Sequence, residues 1–309
     1  MPTMKEFTIP SADGVHQIYC RQWTPDGAVR GVVQIAHGVA EHIRRYDPFM
    51  TFLAERGFVA AGNDHLGHGC SVNSEEELGW FGESGGWSFV VGDMHRLHQK
   101  LKGEYPDVPI FLFGHSMGSF LSRTYAIGHG AELDGLVISG TGHQAKAMTT
   151  AGGAAARLEI RRHGTEYHSK LLNDLAFGGY NRGFSPARTE SDWLSRDEAV
   201  VDAYRADPLC GFIPTAGLFR DMMGGIAFVT DRKNIRKMPK NLPVLFISGA
   251  ADPVGENSKG VLRAYRAFVD EGMENVSLKL YPDARHEVLN ETNRAEVYDD
   301  VLHWLERLV

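Results

Sequence analysis

The chain has 309 residues, 43% of them hydrophobic and 23% charged, which is enough apolar side chain for a large core and excludes extended disorder. Its 32 Lys and Arg against 39 Asp and Glu give a net charge of -7, so the basic face of a nucleic-acid binder is not expected. The chain has three cysteines, no run of 18 apolar residues and no signal-peptide core, and these features predict a cytoplasmic protein without a transmembrane segment.

Apolar runs bounded by turn residues predict eight β-strands. The first two form a hairpin around Ser11-Ala12-Asp13-Gly14, whose residue types favour a turn. The middle runs are continuously apolar, as expected for parallel strands covered on both faces. The predicted strands span residues 7–9, 16–23, 31–36, 58–62, 108–113, 135–139, 244–248 and 276–281.

Helix-length amphipathic stretches alternate with these strands from residue 31 to about 139, and again from about 243 to the end. This alternation predicts an α/β fold with an eight-stranded, mostly parallel sheet and helices on both faces. The predicted helices span residues 46–56, 87–105, 118–129, 258–271 and 293–308.

The alternation stops between residues 141 and 230, where the apolar patterns are helical and no convincing strand is found. Helical patterns occur at residues 151–163, 166–176 and 197–204. We therefore expect an α/β core made of residues 1–140 and 231–309, interrupted by an inserted helical cap at residues 141–230.

A nucleophilic serine is predicted at Gly114-His115-Ser116-Met117-Gly118, which follows a buried strand and precedes a helix. In that context G-x-S-x-G holds the serine on a tight turn, with its hydroxyl exposed at the top of the sheet. Ser84 lies in a second G-x-S-x-G match, but the segment before it is too broken by glycine to be a core strand. Ser84 also precedes a predicted helix, where a serine commonly acts as a cap. We interpret Ser84 as a helix cap and Ser116 as the nucleophile.

The acid and base that would activate Ser116 are predicted on two later loops. A serine hydroxyl needs an imidazole to accept its proton and a carboxylate to orient that imidazole. Asp252 follows the seventh strand and His286 the eighth, both at the edge of the sheet where Ser116 lies. Asp283 is too close to His286 in sequence for the orienting role, and His303 lies within the terminal helix.

An oxyanion hole is expected from the loop after the third strand. Gly38 allows a sharp turn, so the peptide N–H of Val39 would face that of Met117 across the site. We interpret His37 as a structural residue that braces this loop.

Asp64, His65 and His68 follow the fourth strand and could be read as metal ligands. Their position beside the oxyanion loop favours a buried polar network instead. We predict no metal and no other cofactor.

The loop from His37 to His42, followed by Arg45-Tyr46, resembles the H-G-x-x-E-H…R-Y loop of the monoacylglycerol lipase and lysophospholipase group of α/β hydrolases. The segment Asp64-His65-Leu66-Gly67-His68-Gly69-Cys70-Ser71 is similar to the D-x-x-G-H-G-x-S signature of that group, and Asp207-Pro208-Leu209 to its D-P-L segment. Cys70 departs from many members, and residues 145–181 match no part of the group's pattern.

This resemblance implies that aspartate and histidine loops like those at Asp252 and His286 carry the triad. It also implies a small ester substrate: a monoacylglycerol, a lysophospholipid or a short-chain ester.

The cap carries an apolar pattern of its own. Its members Phe212, Phe219, Met222 and Ile226 are spaced by seven, three and four residues, which predicts one stripe on a helix. The stripe could line a tunnel for an acyl chain or attach the cap to the core, and both interpretations stay open. The cap is also where we expect any contact with a membrane surface.

Together these features predict a serine carboxylic-ester hydrolase that works through an acyl-enzyme. A peptidase acting near a free amino terminus would use the same machinery, with ammonium ligands in the cap among Glu159, Glu166, Asp174 and Asp207. A non-catalytic ligand-binding protein would instead show a broken triad, whereas all three positions are filled here.

Overall fold

A computed structural model describes all 309 residues and contains one eight-stranded sheet. The strand order is β1-β2-β4-β3-β5-β6-β7-β8. The strands are β1 (Thr3–Pro10), β2 (Gln17–Thr24), β3 (Gly31–Ala36), β4 (Phe58–Asn63), β5 (Ile110–His115), β6 (Gly135–Ser139), β7 (Val244–Gly249) and β8 (Val276–Tyr281).

The sheet is parallel except at one edge. β1 pairs antiparallel with β2, and β2 pairs antiparallel with β4, while all the other pairs are parallel. This arrangement confirms the predicted α/β-hydrolase fold, including the opening hairpin. Because the carboxyl ends of the parallel strands meet at one edge, the loops after β3, β5, β7 and β8 are brought together there.

Ten helices accompany the strands. Their bounds are α1 (Asp47–Ala54), α2 (Gly86–Glu104), α3 (Met117–His129), α4 (Lys146–His163), α5 (Lys170–Phe177), α6 (Glu198–Ala206), α7 (Ala216–Thr230), α8 (Arg232–Ile235), α9 (Lys259–Asp270) and α10 (Arg294–Glu306). None of them combines the length and the apolar composition that crossing a bilayer requires.

Two apolar layers cover the two faces of the sheet. Side chains alternate between the layers along each strand: Val32 and Ile110 face one layer, and Phe111 faces the other. Helices α2, α3 and α9 contribute to the first layer, and α1 and α10 contribute to the second. The side chains of both layers are buried, which explains why the central strands are continuously apolar in sequence.

The segment between β6 and β7 is helical, with α4 to α8 in order. Its one β feature is an isolated bridge between His168 and Thr215. The predicted helices here have shifted bounds: α4 begins five residues before the predicted start at residue 151, and α5 begins four residues after the predicted start at 166. α5 begins late because Ser169 is its N-cap and accepts a hydrogen bond from the Leu172 N–H.

The prediction of a single helical stripe from Phe212 to Ile226 is wrong at its first member. α7 begins only at Ala216, where the Thr215 hydroxyl caps the helix by accepting from the Leu218 N–H. Pro214 lies just before this cap, and a helix rarely continues backward through the residue preceding a proline. Phe212 therefore lies on the loop before α7.

Candidate active site

Ser116 lies in the turn between β5 and α3, with φ 54° and ψ -120°. This positive φ is strained for a residue with a side chain, and such strain is typical of functional turns. A Cβ on Gly114 would collide with the Ser122 hydroxyl, and one on Gly118 would collide with the backbone of Ala36. The two flanking glycines are therefore required by close packing around the turn.

His286 and Asp252 form a buried hydrogen-bonded pair. The ring Nδ1 of His286 lies 3.0 Å from Oδ2 of Asp252, and both side chains are at most 2% exposed. The other carboxylate oxygen of Asp252 accepts from the Val254 N–H at 2.9 Å. Because an ionised carboxylate only accepts, Nδ1 carries the proton and Nε2 is left free to act as a base.

The charge of Asp252 sets the basicity of His286. Burial alone would lower the pKa of His286, but the attraction of Asp252 and their hydrogen bond outweigh burial and raise the pKa above 6.5. The imidazolium form of this buried side chain is thereby stabilised. A triad histidine needs this property when it takes a proton from serine.

The alternative residues lie elsewhere. Asp283 is exposed in the turn after β8, and His303 is exposed on α10. Ser84 is also exposed and follows no strand. The N-cap of α2 is Gly85, which corrects our interpretation of Ser84 as a helix cap.

The two predicted oxyanion donors flank the serine. Met117 is the first residue of α3, so its N–H has no intrahelical acceptor. The loop that carries Val39 approaches the serine closely, since a Cβ on Gly38 would lie 3.1 Å from Cβ of Ser116. Val39 and Met117 both line the cavity that Ser116 and His286 line.

An ionic network with buried carboxylates links the loop after β3 to the loop after β8. Glu41 Oε1 accepts from the Gly38 N–H at 2.6 Å and from the Tyr46 hydroxyl at 2.9 Å. Arg45 bridges Glu41 and Glu287, and donates to both oxygens of Glu287 at 2.8 and 2.7 Å. Burial alone would raise the pKa of Glu287, but Arg45 outweighs burial and lowers it to about 2.

Sequence reasoning gave this network no role. The only signal was the presence of Glu41, Arg45 and Tyr46 in the motif that carried the family resemblance. Glu287 directly follows His286, so the network holds the backbone of the predicted base against the loop of the predicted oxyanion donors.

The polar residues after β4 form a network of their own. His37 Nε2 accepts from the His65 N–H at 3.0 Å, and its Nδ1 donates to the Gly38 carbonyl at 2.7 Å. The Asp64 carboxylate accepts from the N–H groups of Ile43 and Cys70 at 2.8 and 2.7 Å. These bonds use the ring atoms of His37 and both oxygens of Asp64 to hold loops, and they support the interpretation as a buried polar network.

The helical segment is attached directly to the loop after β3. The Ala40 carbonyl accepts from the Gly211 N–H at 3.0 Å and from the Tyr204 hydroxyl at 3.1 Å. One residue pair adds to this, since His42 Nε2 lies 2.8 Å from Oδ2 of Asp207. Asp207 opens the segment that resembles D-P-L, so this motif has a docking role here.

A cavity of about 1860 Å³ lies between the sheet edge and the helical segment. About half of the residues lining it are hydrophobic, and Phe212, Phe219, Met222 and Ile226 are among them. Trp193 packs its ring 5.1 Å from that of His286, also in the cavity wall. The stripe residues therefore face the cavity even though Phe212 reaches it from the loop.

Comparison with known proteins agrees with this geometry. The family model described as serine aminopeptidase, S33, matches residues 27–293. A monoacylglycerol lipase of Mycolicibacterium smegmatis is 31% identical over 98% of this chain and 97% of its own length. A monoglyceride lipase of Mus musculus is 30% identical over 95% of this chain and 86% of its own. Among solved structures, a thermostable carboxyl esterase from Bacillus coagulans, in complex with glycerol, superposes with a TM-score of 0.92 at 30% identity, covering 99% of both chains.

Proposed function

The chain belongs to the serine aminopeptidase S33 family of α/β hydrolases and is a carboxylic-ester hydrolase, and we propose that it cleaves monoacylglycerols through a Ser116–His286–Asp252 triad. The observation that carries this proposal is that His286, hydrogen-bonded to the buried Asp252, lines the same cavity as Ser116.

In the proposed reaction, Nε2 of His286 takes the proton of the Ser116 hydroxyl as the oxygen attacks the ester carbonyl. The peptide N–H groups of Val39 and Met117 donate to the oxyanion that forms. His286 then gives its proton to the departing alcohol, which leaves an acyl group on Ser116. Water attacks this ester by the same route, and the fatty acid is released.

The cavity supports an acyl substrate. Its volume exceeds the 300–1,000 Å³ range, roughly, of ordinary small-ligand pockets, and its inserted wall is apolar at Phe219 and Met222. The monoacylglycerol lipase and monoglyceride lipase among the relatives cover nearly the whole chain, which favours a monoacylglycerol over a lysophospholipid. In this proposal, residues 141–230 act as the cap that shapes the acyl site.

The contacts disfavour the four carboxylates that the sequence offers as ammonium ligands of a peptidase. Glu159 is buried and accepts from the Ser169 hydroxyl at 2.8 Å, Asp174 pairs with Lys170 at 2.6 Å, and Asp207 pairs with His42. Glu166 is exposed outside the cavity. An ammonium ligand must point an unpaired carboxylate at the substrate, and these four carboxylates do not.

Parallel assays test the proposal. Hydrolysis is measured on a monoacylglycerol, a lysophospholipid, p-nitrophenyl butyrate and an aminoacyl-nitroanilide, with Ser116→Ala as the blank. We expect the highest kcat/KM on the monoacylglycerol and none above the blank on the nitroanilide. A kcat/KM that is highest on the nitroanilide or on the lysophospholipid would contradict the proposed substrate.

A further inference from the structure

Three metal-ligating side chains meet on the surface far from the catalytic cavity. They are His95 in the middle of α2, His129 at the end of α3, and Glu132 in the short helix that follows. Each offers one ligand atom, and these three atoms lie within 4.8 Å of one another. All three residues are partly exposed, so solvent reaches the cluster.

The spacing is close to what a tetrahedral metal requires. Zn²⁺ binds imidazole nitrogen and carboxylate oxygen at about 2.0–2.2 Å, so neighbouring ligand atoms are about 3.3 Å apart. His129 Nδ1 lies 3.0 Å from Glu132 Oε1, and His95 Nδ1 lies 4.0 Å from Glu132 Oε2. The rings of His95 and His129 stack with their centroids 4.0 Å apart. Because stacked rings do not direct their in-plane lone pairs at one point, the imidazoles would have to rotate, and separations of up to 4.8 Å would have to close by about 1.5 Å to reach coordination distance.

The surroundings hold these side chains in place. The Tyr125 hydroxyl lies 3.1 Å from His95 Nδ1, and Gln99 donates to Glu132 Oε2 at 2.7 Å. His98, one turn from His95, is buried with Nε2 3.9 Å from the same carboxylate oxygen. The Tyr125 hydroxyl contacts the ligand nitrogen of His95 itself and would be displaced by the ion, whereas the Gln99 bond to Oε2 orients the Glu132 carboxylate and leaves Oε1 for the metal.

We propose that His95, His129 and Glu132 form a binding site for Zn²⁺ or a related transition-metal ion, with water completing the coordination. Two imidazoles and one carboxylate suit zinc, cobalt and nickel, whereas calcium and magnesium prefer sets of oxygen ligands.

The site links α2 to the end of α3, so a bound ion stabilises the fold rather than the chemistry. Helix α3 begins next to Ser116 and has 13 residues, which at 1.5 Å per residue separates the two sites by about 20 Å. We therefore expect the metal to raise the melting temperature while leaving ester hydrolysis unchanged.

The test measures Zn²⁺ binding to the tag-free protein at about pH 7.5, where imidazole is mostly neutral, by competition with a chromophoric chelator. Glu132→Gln and His129→Gln each remove one ligand from an exposed position. His163→Gln is the matched control, because His163 also ends a helix and stacks on a ring, that of Tyr167, at 4.3 Å. Cys210→Ser monitors the second cluster of ligand types, His42, Asp207 and Cys210.

We expect the unmodified protein, His163→Gln and Cys210→Ser to bind one Zn²⁺ each, and both ligand variants to bind at least about tenfold more weakly. The melting temperature should rise with Zn²⁺ only in proteins that keep the site, and Mg²⁺ should have no effect. Cobalt should give visible absorption typical of nitrogen and oxygen ligands. Three results would overturn the proposal. They are no stoichiometric Zn²⁺ binding to the unmodified protein, an affinity of Glu132→Gln and His129→Gln equal to that of the unmodified protein, or loss of binding only in Cys210→Ser.

Discussion

The sheet edge and the inserted helical segment are organised in different ways. At the sheet edge, Glu41 and Glu287 are buried, and both accept hydrogen bonds from the half-buried Arg45. The helical segment exposes large apolar side chains, namely Met148, Leu158, Leu171 and Leu175. From this difference we expect the core to hold the proposed reaction machinery rigidly and the helical segment to adapt to the substrate.

The largest effect is expected from removal of the proposed catalytic residues in the core. Ser116→Ala and His286→Ala should each lower kcat on p-nitrophenyl butyrate by about 10⁶, because neither residue activates the ester without the other. The double variant should lose little more. Ser84→Ala is the matched control from the second G-x-S-x-G and should keep near-normal activity; loss of activity in that folded variant would show that the wrong serine was chosen.

Asp252→Asn should lower kcat by about 10⁴, because an amide neither holds the required tautomer of His286 nor stabilises its charge. The pH profile gives a second readout. His286 must be neutral to act as a base, and its pKa is raised, so kcat/KM should rise with pH through an apparent pKa above 6.5. In Asp252→Asn this rise in kcat/KM should occur at lower pH. A rise at unchanged pH would show that Asp252 does not raise the pKa of His286.

Arg45→Lys tests whether the ionic network positions the two loops. Lysine keeps the charge but cannot bond both oxygens of Glu287, so kcat should fall by about 10–100-fold as the loops shift. Arg56→Lys, at a half-buried site beside Phe52 and outside the network, serves as the control and should leave kcat unchanged. Unchanged kcat in folded Arg45→Lys would reduce the network to a structural role.

Phe219→Ala tests whether the helical segment contacts the acyl chain of the substrate. Loss of this buried ring should lower kcat/KM for a long-chain ester by about tenfold relative to p-nitrophenyl acetate, because only the long chain reaches it. Phe228→Ala lies on the same helix at an exposed position and should leave the ratio unchanged. Equal losses on both esters would mean that Phe219 only attaches the segment to the core.

The difference between the core and the helical segment also explains what could be predicted from sequence. The predicted bounds of the strands at 31–36, 135–139 and 276–281 agree with the structure, because turn residues delimit each apolar run. Ser116, Asp252 and His286 could be proposed as a triad from sequence because each follows a predictable strand. The start of α7 and the place of Phe212 could not, because Thr215 is recognised as a cap only through its contact with Leu218.

The Arg45–Glu287 contact lay beyond sequence reasoning for a different reason. The two residues are 242 positions apart, and no periodic pattern links them. Only the assembled sheet edge brings their loops into contact.

Labelling with a fluorophosphonate probe, followed by mass-spectrometric mapping of the modified peptide, tests the central claim most directly. The account predicts one adduct, on Ser116, formed in the unmodified protein and in Ser84→Ala but at least about 10³-fold more slowly in His286→Ala. An adduct on another residue, or labelling of Ser116 at an undiminished rate without His286, would contradict it.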